Sequence, residues 1–295
     1  MHYRQIKTIS GSTAAVYSRW VKRHGLPETV EGPFVDDSLL YWIGPKRTEK
    51  VVLYVHGGAF FAPLQDCSLS FWNHVREDLG KSWRLYPEFT FPTQLHQLVV
   101  AFDHLLASGV KPSDIHLVGD SSGANLILQF LSQLLHPMEK IGPVQSVKAP
   151  LGSLYLMSPW VRFQSESVSF TSNTEDIVNE VTVTAWGKQY AEGVPDSRRP
   201  YIEPATAGPT WFSGLGFVVK QMLVSAGVDE RFKDDIVAFA EVLREKGGVD
   251  VRLELQKGGV HNDAYFDYLT TDKPSKIGSL TPIVVQWMKE QLTTD

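Results

Sequence analysis

The stretch Ile115-His116-Leu117-Val118-Gly119-Asp120-Ser121-Ser122-Gly123-Ala124-Asn125-Leu126-Ile127-Leu128 decides how this chain is read. Its first four residues are β-prone, and the run from Ala124 to Leu131 is rich in helix formers, so a buried strand turns directly into a helix. At the corner a serine stands between glycines two residues before and two after it. Such a turn leaves no room for Cβ atoms beside the serine, and it holds the serine itself in a strained backbone conformation with Oγ pushed clear of the sheet. Ser121 is the candidate nucleophile.

Working outward, strands and helices alternate. Strands are expected at 38–43, 51–55, 82–88, 115–118, 154–157, 222–225 and 251–255, the first two forming a hairpin-like pair across a Gly-Pro-Lys-Arg turn. Helices are expected over 12–24, 94–106, from the elbow onward, 181–190 and 281–292. Strands that alternate with helices imply a mostly parallel sheet covered on both faces, an α/β fold. Between Trp160 and Pro200 the alternation breaks into a polar excursion, which reads as a cap over the site. With no internal repeat, one catalytic domain over 1–295 is expected, with a built-in cap over about 160–205; the helix over 12–24 either packs on the domain surface or, as a cap element within about 1–35, covers the substrate.

Composition narrows the function. Thirty-three acidic against 28 basic residues leave a formal charge of −5 with the signs scattered, which gives no footprint for nucleic acid. Cys67 is the only cysteine, so no intramolecular disulfide or thiolate metal cluster forms, and a reducing, cytoplasmic setting is expected. No run reaches the roughly 18 apolar residues of a membrane helix. No H-E-x-x-H, P-loop or dinucleotide glycine fingerprint appears, so neither a metal nor a nucleotide cofactor is expected. A small-molecule acyl substrate is the expected partner; no motif fixes the oligomeric state, and a homodimer stays open.

A serine nucleophile needs a base, an orienting acid and an oxyanion hole. Only His136 and His261 follow Ser121. His136 lies about four helical turns from the elbow at roughly 1.5 Å per residue, too far from Oγ. His261, in the Gly258-Gly259-Val260-His261-Asn262 loop after the last strand, is therefore the base. Asp229, just beyond the strand at 222–225, is the expected acid, with Glu230, Asp234 and Asp235 as rivals. His56-Gly57-Gly58-Ala59-Phe60, directly after the strand at 51–55, resembles the H-G-G-G motif of lipases and esterases. Its expected oxyanion donors are the N–H groups of Gly57 and Gly58, joined by that of Ser122. His56 itself reads as a structural histidine tying down the loop. The aromatics Phe60, Trp160 and Trp186 are expected to line an apolar pocket.

Together with Tyr86-Pro87-Glu88, Ser158-Pro159-Trp160 and Gly227-Val228-Asp229, these motifs resemble the successive signatures of the hormone-sensitive-lipase-like group of α/β-hydrolases. The resemblance implies a serine esterase with Ser121, Asp229 and His261 as triad, acting on acyl substrates of short to medium length. Ala59 stands where many members have a third glycine and Ser122 where alanine is commoner; neither removes a backbone N–H. An acyltransferase, or a lactone or thioester hydrolase of a specialised metabolite, would use the same acyl-enzyme. A non-catalytic ligand-binding receptor on the same fold is a reading of another class, and retention of all three triad types argues against it. His56, Asp103 and Ser121 occur in the order of a trypsin-like protease, but those are disulfide-bearing all-β barrels.

Overall fold

A computed structural model describes residues 11–46, 48–79, 83–86, 91–142, 144 and 149–293. Eight strands form one sheet: β1 (Thr29–Glu31), β2 (Leu40–Ile43), β3 (Val51–Val55), β4 (Trp83–Tyr86), β5 (Ile115–Asp120), β6 (Ser153–Met157), β7 (Gln221–Gly227) and β8 (Asp250–Gln256). Their order is β1-β2-β4-β3-β5-β6-β7-β8; β1, β2 and β4 pair antiparallel, and every pairing from β4 to β8 is parallel. This is the expected α/β-hydrolase architecture.

The expected pairing of 38–43 with 51–55 is wrong. Tyr41 stands opposite Leu85 in β4, and β4 lies between β2 and β3. A parallel crossover through a helix places β4 beside β3, and β2 pairs antiparallel with the other edge of β4. That crossover helix, α2 (Asp66–Leu79), was not among the expected elements, nor was β1. Pro87 and Glu88 of the Tyr86-Pro87-Glu88 motif lie outside the described residues.

Period two along β3 explains the two cores. Val51, Leu53 and Val55 face α3 (Thr93–Ala107) and α4 (Ser121–Leu135), where Leu98, Phe102 and Leu128 close one layer. Val52 and Tyr54 face the other way, toward Phe71 and Trp72 of α2 and Val284 and Trp287 of α9 (Leu280–Thr293). Helix α1 (Thr13–Arg23), capped by Ser12 Oγ accepting from Ala15 N–H at 3.2 Å, lays Tyr17, Trp20 and Val21 into that second core. The excursion after β6 carries α5 (Val168–Ser172), α6 (Glu180–Tyr190) and α7 (Arg199–Ile202), and α8 (Lys233–Gly247) links β7 to β8. Among the described residues no helix is long and apolar enough to cross a membrane.

Candidate active site

Ser121 opens α4 at the carboxyl end of β5 with φ of 51°, in the left-handed region. The close packing that forces this conformation is measurable at Gly123, where a Cβ would lie 2.0 Å from Val55 O. Gly57 is closed in the same way, since a Cβ there would lie 2.2 Å from Asp120 Oδ2.

Asp120, beside the nucleophile and nearly fully buried, joins three loops. Its Oδ1 accepts from Tyr54 OH (2.6 Å), Tyr265 OH (3.1 Å) and Gly57 N–H (3.0 Å), and its Oδ2 accepts from Asn262 Nδ2 (2.9 Å). These four hydrogen bonds satisfy a carboxylate that burial would otherwise penalise. Its bond to Gly57 corrects one expectation: that N–H is engaged inside the protein and faces no reacting oxygen. Gly58 and Ala59, the next residues of the loop, line the cavity. Ser122 Oγ accepts from Phe60 N–H at 3.1 Å and so pins the loop to the elbow. His56 holds its own loop through Nδ1 on Gly57 O (2.7 Å), with Nε2 3.4 Å from Thr13 Oγ1.

His261 follows β8 on the Gly258–Asn262 loop and is buried. The carboxylate on its ring is Glu230, with Oε1 2.8 Å from Nδ1, and not Asp229. β7 runs on to Gly227, two residues beyond the expected end, and a turn closed by Glu230 N–H on Gly227 O (3.3 Å) points residue 230 inward. Asp229 is left exposed, its N–H donating to Gly259 O at 2.9 Å. Glu230 is fully buried; its Oε2 accepts from Ser158 Oγ (2.8 Å) and Gly227 N–H (3.0 Å). A carboxylate on Nδ1 makes that nitrogen the N–H donor and leaves the Nε2 lone pair as the basic one. Burial alone would lower the His261 pKa, but the Glu230 charge and hydrogen bond, aided by Asp176 and Asp120, outweigh it and raise the pKa above 6.5.

Ser121 and His261 line one cavity of about 220 Å³. Trp160 and Trp186 line it, together with Ile177, Val178 and Val183 from the insertion. Phe60 does not: its ring stacks on Tyr190 at 3.7 Å behind the wall, and Phe61 lines the cavity instead. His136, at the far end of α4, meets Trp211 O at 2.6 Å through Nε2. Asp234 and Asp235 tie the insertion down, through Ser169 N–H (2.8 Å) and Arg162 Nε (3.2 Å) respectively. Burial pushes the Cys67 thiol up to about 11, which keeps it protonated and unreactive.

Sequence reasoning missed Asp176, Ser158 as a side-chain donor, and Asn262. The motif Ser158-Pro159-Trp160 carried a signal for the second, since φ of 46° at Ser158 bends the chain so that Oγ reaches both Glu230 and Asn262 N–H (3.1 Å).

A left-handed serine at a strand-to-helix corner, a carboxylate-held histidine beyond the last strand and an inserted segment that lines the same cavity define a class, and comparison with known proteins agrees. Residues 52–264 match the family described as alpha/beta hydrolase fold, and the chain belongs to that family. It is 26% identical over 219 residues to an acetyl-hydrolase of Streptomyces hygroscopicus, covering 70% of this chain and 66% of that protein. An esterase of Acinetobacter venetianus is 28% identical over 229 residues, covering 74% of this chain and 69% of that protein. The chain thus spans about two thirds of the length of these relatives. Among solved structures, an esterase from the bacterial hormone-sensitive lipase family superposes with a TM-score of 0.71 at 23% identity, over 95% of this chain and 98% of that one.

Proposed function

We propose that the protein is a serine carboxylic-ester hydrolase in which Ser121 is the nucleophile, His261 the base and Glu230 the acid of the triad. The reading rests on one observation above others: the left-handed Ser121 and the Glu230-held His261 open onto the same cavity. In the reaction Ser121 Oγ bonds to the carbonyl carbon as its proton passes to His261 Nε2. The carbonyl oxygen becomes an oxyanion, received by the N–H groups of Gly58, Ala59 and Ser122. The intermediate collapses with loss of the alcohol, which takes the proton from Nε2, and water repeats the sequence on the acyl-enzyme.

Acyl groups are short. The cavity, at about 220 Å³, is smaller than the roughly 300–1,000 Å³ of pockets that enclose drug-sized ligands. The printed names of the relatives, an acetyl-hydrolase and an esterase, support the same size class. The catalytic domain spans the chain, and the insertion over 160–205 is its cap.

A chain-length series of p-nitrophenyl esters, turned over by the wild type and by Ser121→Ala, tests this. Turnover that peaks at acetate or propionate and falls by a factor on the order of 10³ or more in the variant is expected. Equal turnover in both proteins rejects the serine mechanism.

A further inference from the structure

One side chain of the cap bonds to both catalytic loops. Asp176 sits on the loop between α5 and α6, and its two oxygens go to the two catalytic loops: Oδ1 accepts from His261 N–H at 2.9 Å and Oδ2 from Arg231 N–H at 2.8 Å. Arg231 directly follows Glu230, so a single carboxylate fixes the backbone beside the acid and the backbone of the base. Around it the cap loop is laced to the same turn. Asn173 Nδ2 donates to Glu230 O at 2.9 Å, and Arg231 donates through Nε to Val178 O at 2.9 Å and through Nη1 to Phe170 O. The residues that follow Asp176, namely Ile177 and Val178, line the cavity. The loop that meets the substrate therefore also sets the distance between Glu230 and His261.

We infer that Asp176 is a positioning residue for the acyl-transfer reaction, holding the acid and the base in register from the cap. The inference rests on the proposed esterase reading, because it gives Asp176 a role in the same site. Two acceptors are required: an asparagine would present an NH₂ group to one of the two backbone donors and would also remove the charge. The groups that bear on His261 are Glu230 from the turn after β7, Asp176 from the cap loop and Asp120 from the elbow. The Arg231 guanidinium turns away toward cap carbonyls and Glu180, 3.8 Å from Nη1.

The test follows the His261 imidazole by NMR titration in the full chain, alongside kcat and KM on p-nitrophenyl acetate, for the wild type, Asp176→Asn, Asp176→Glu and Glu175→Gln. Asp176→Asn is expected to lower the His261 pKa and to lower kcat about tenfold or more, with KM within about threefold, since a charge-assisted hydrogen bond is lost without a substrate contact. Asp176→Glu, which retains both acceptors and the charge, should recover part of kcat. Glu175→Gln removes a neighbouring exposed charge and should move neither quantity. An unmoved pKa and kcat in Asp176→Asn, or equal changes in Glu175→Gln, overturn the inference. If Asp176→Asn does not fold, kcat in Asp176→Glu no higher than a tenth of wild type overturns it, and recovery supports it. A wild type that turns over no ester rejects the esterase reading, while the titration still tests the hold of Asp176 on His261.

Discussion

Asp229 and Glu230 are adjacent and carry the same charge, yet one is exposed and the other is buried against His261. The difference gives a sharp prediction at the scale of single residues. Glu230→Gln should lower kcat by a factor on the order of 10² to 10⁴, because the amide carries no charge to stabilise the imidazolium and, with its oxygen needed by the Gly227 N–H, turns its NH₂ toward Nδ1. Asp229→Asn should leave kcat within about twofold, as surface substitutions usually do. Steady-state kinetics on one ester separate the two, and a reversed outcome would return the acid role to Asp229. The same contact fixes a pH dependence. In the proposed reaction His261 must be neutral to take the serine proton, and its pKa lies above 6.5 because burial, which lowers it, is outweighed by Glu230 together with Asp176 and Asp120. Activity should therefore rise with pH along an acid limb of kcat/KM centred above 6.5, and Glu230→Gln should move that limb downward. A limb at or below 6.5 in the wild type would contradict the geometry.

At the scale of elements, the insertion and the sheet edge contribute different aromatics to the cavity. Trp186 comes from α6 and is only partly buried, whereas Trp160 follows β6 and is 1% exposed. Trp160 is packed among Phe163 at 4.7 Å, Phe60 at 5.9 Å and Phe232 at 6.0 Å. Trp160 is therefore both cavity wall and core, and truncation would empty a packed site. Trp160→Ala should lower unfolding free energy by about 3–5 kcal/mol, read from a denaturant melt. Trp186→Ala should change the ratio of kcat/KM between acetyl and longer esters while stability moves little. An acyl profile unaltered in Trp186→Ala would remove α6 from the specificity wall. Most elements were legible one by one because each carries its own period, as in the apolar face of α3. Helix α2 was not, since Cys67, Ser68 and Ser70 are buried within it and blur the polar face.

At the scale of the whole molecule, the candidate site lies at the carboxyl ends of β3, β5, β7 and β8, and both faces of the sheet reach it. Tyr54, Ser68 and Tyr265 line the cavity from the side on which α1, α2 and α9 form the second core. Helix α1 belongs to that core. Trp20 is fully buried and donates through Nε1 to Ser70 Oγ at 3.0 Å, and among the described residues none from α1 lines the cavity. Trp20→Ala should cost about 3–5 kcal/mol of stability with the acyl-length profile unchanged. A shifted profile would make α1 part of the cap, as the expected boundary at about residue 35 had it. The sequence by itself determined the alternation of strands and helices, the elbow serine and the histidine after the last strand, because each depends on local period or on glycines that only a tight turn requires. Which carboxylate meets His261, which N–H of the His56–Ala59 loop is already engaged, and which strand lies beside β2 were decided only by the tertiary structure. Those choices turn on one-residue differences in where a strand ends and on contacts between segments far apart in the chain, such as Asp120 with Gly57 and Asp176 with His261, which no local pattern encodes.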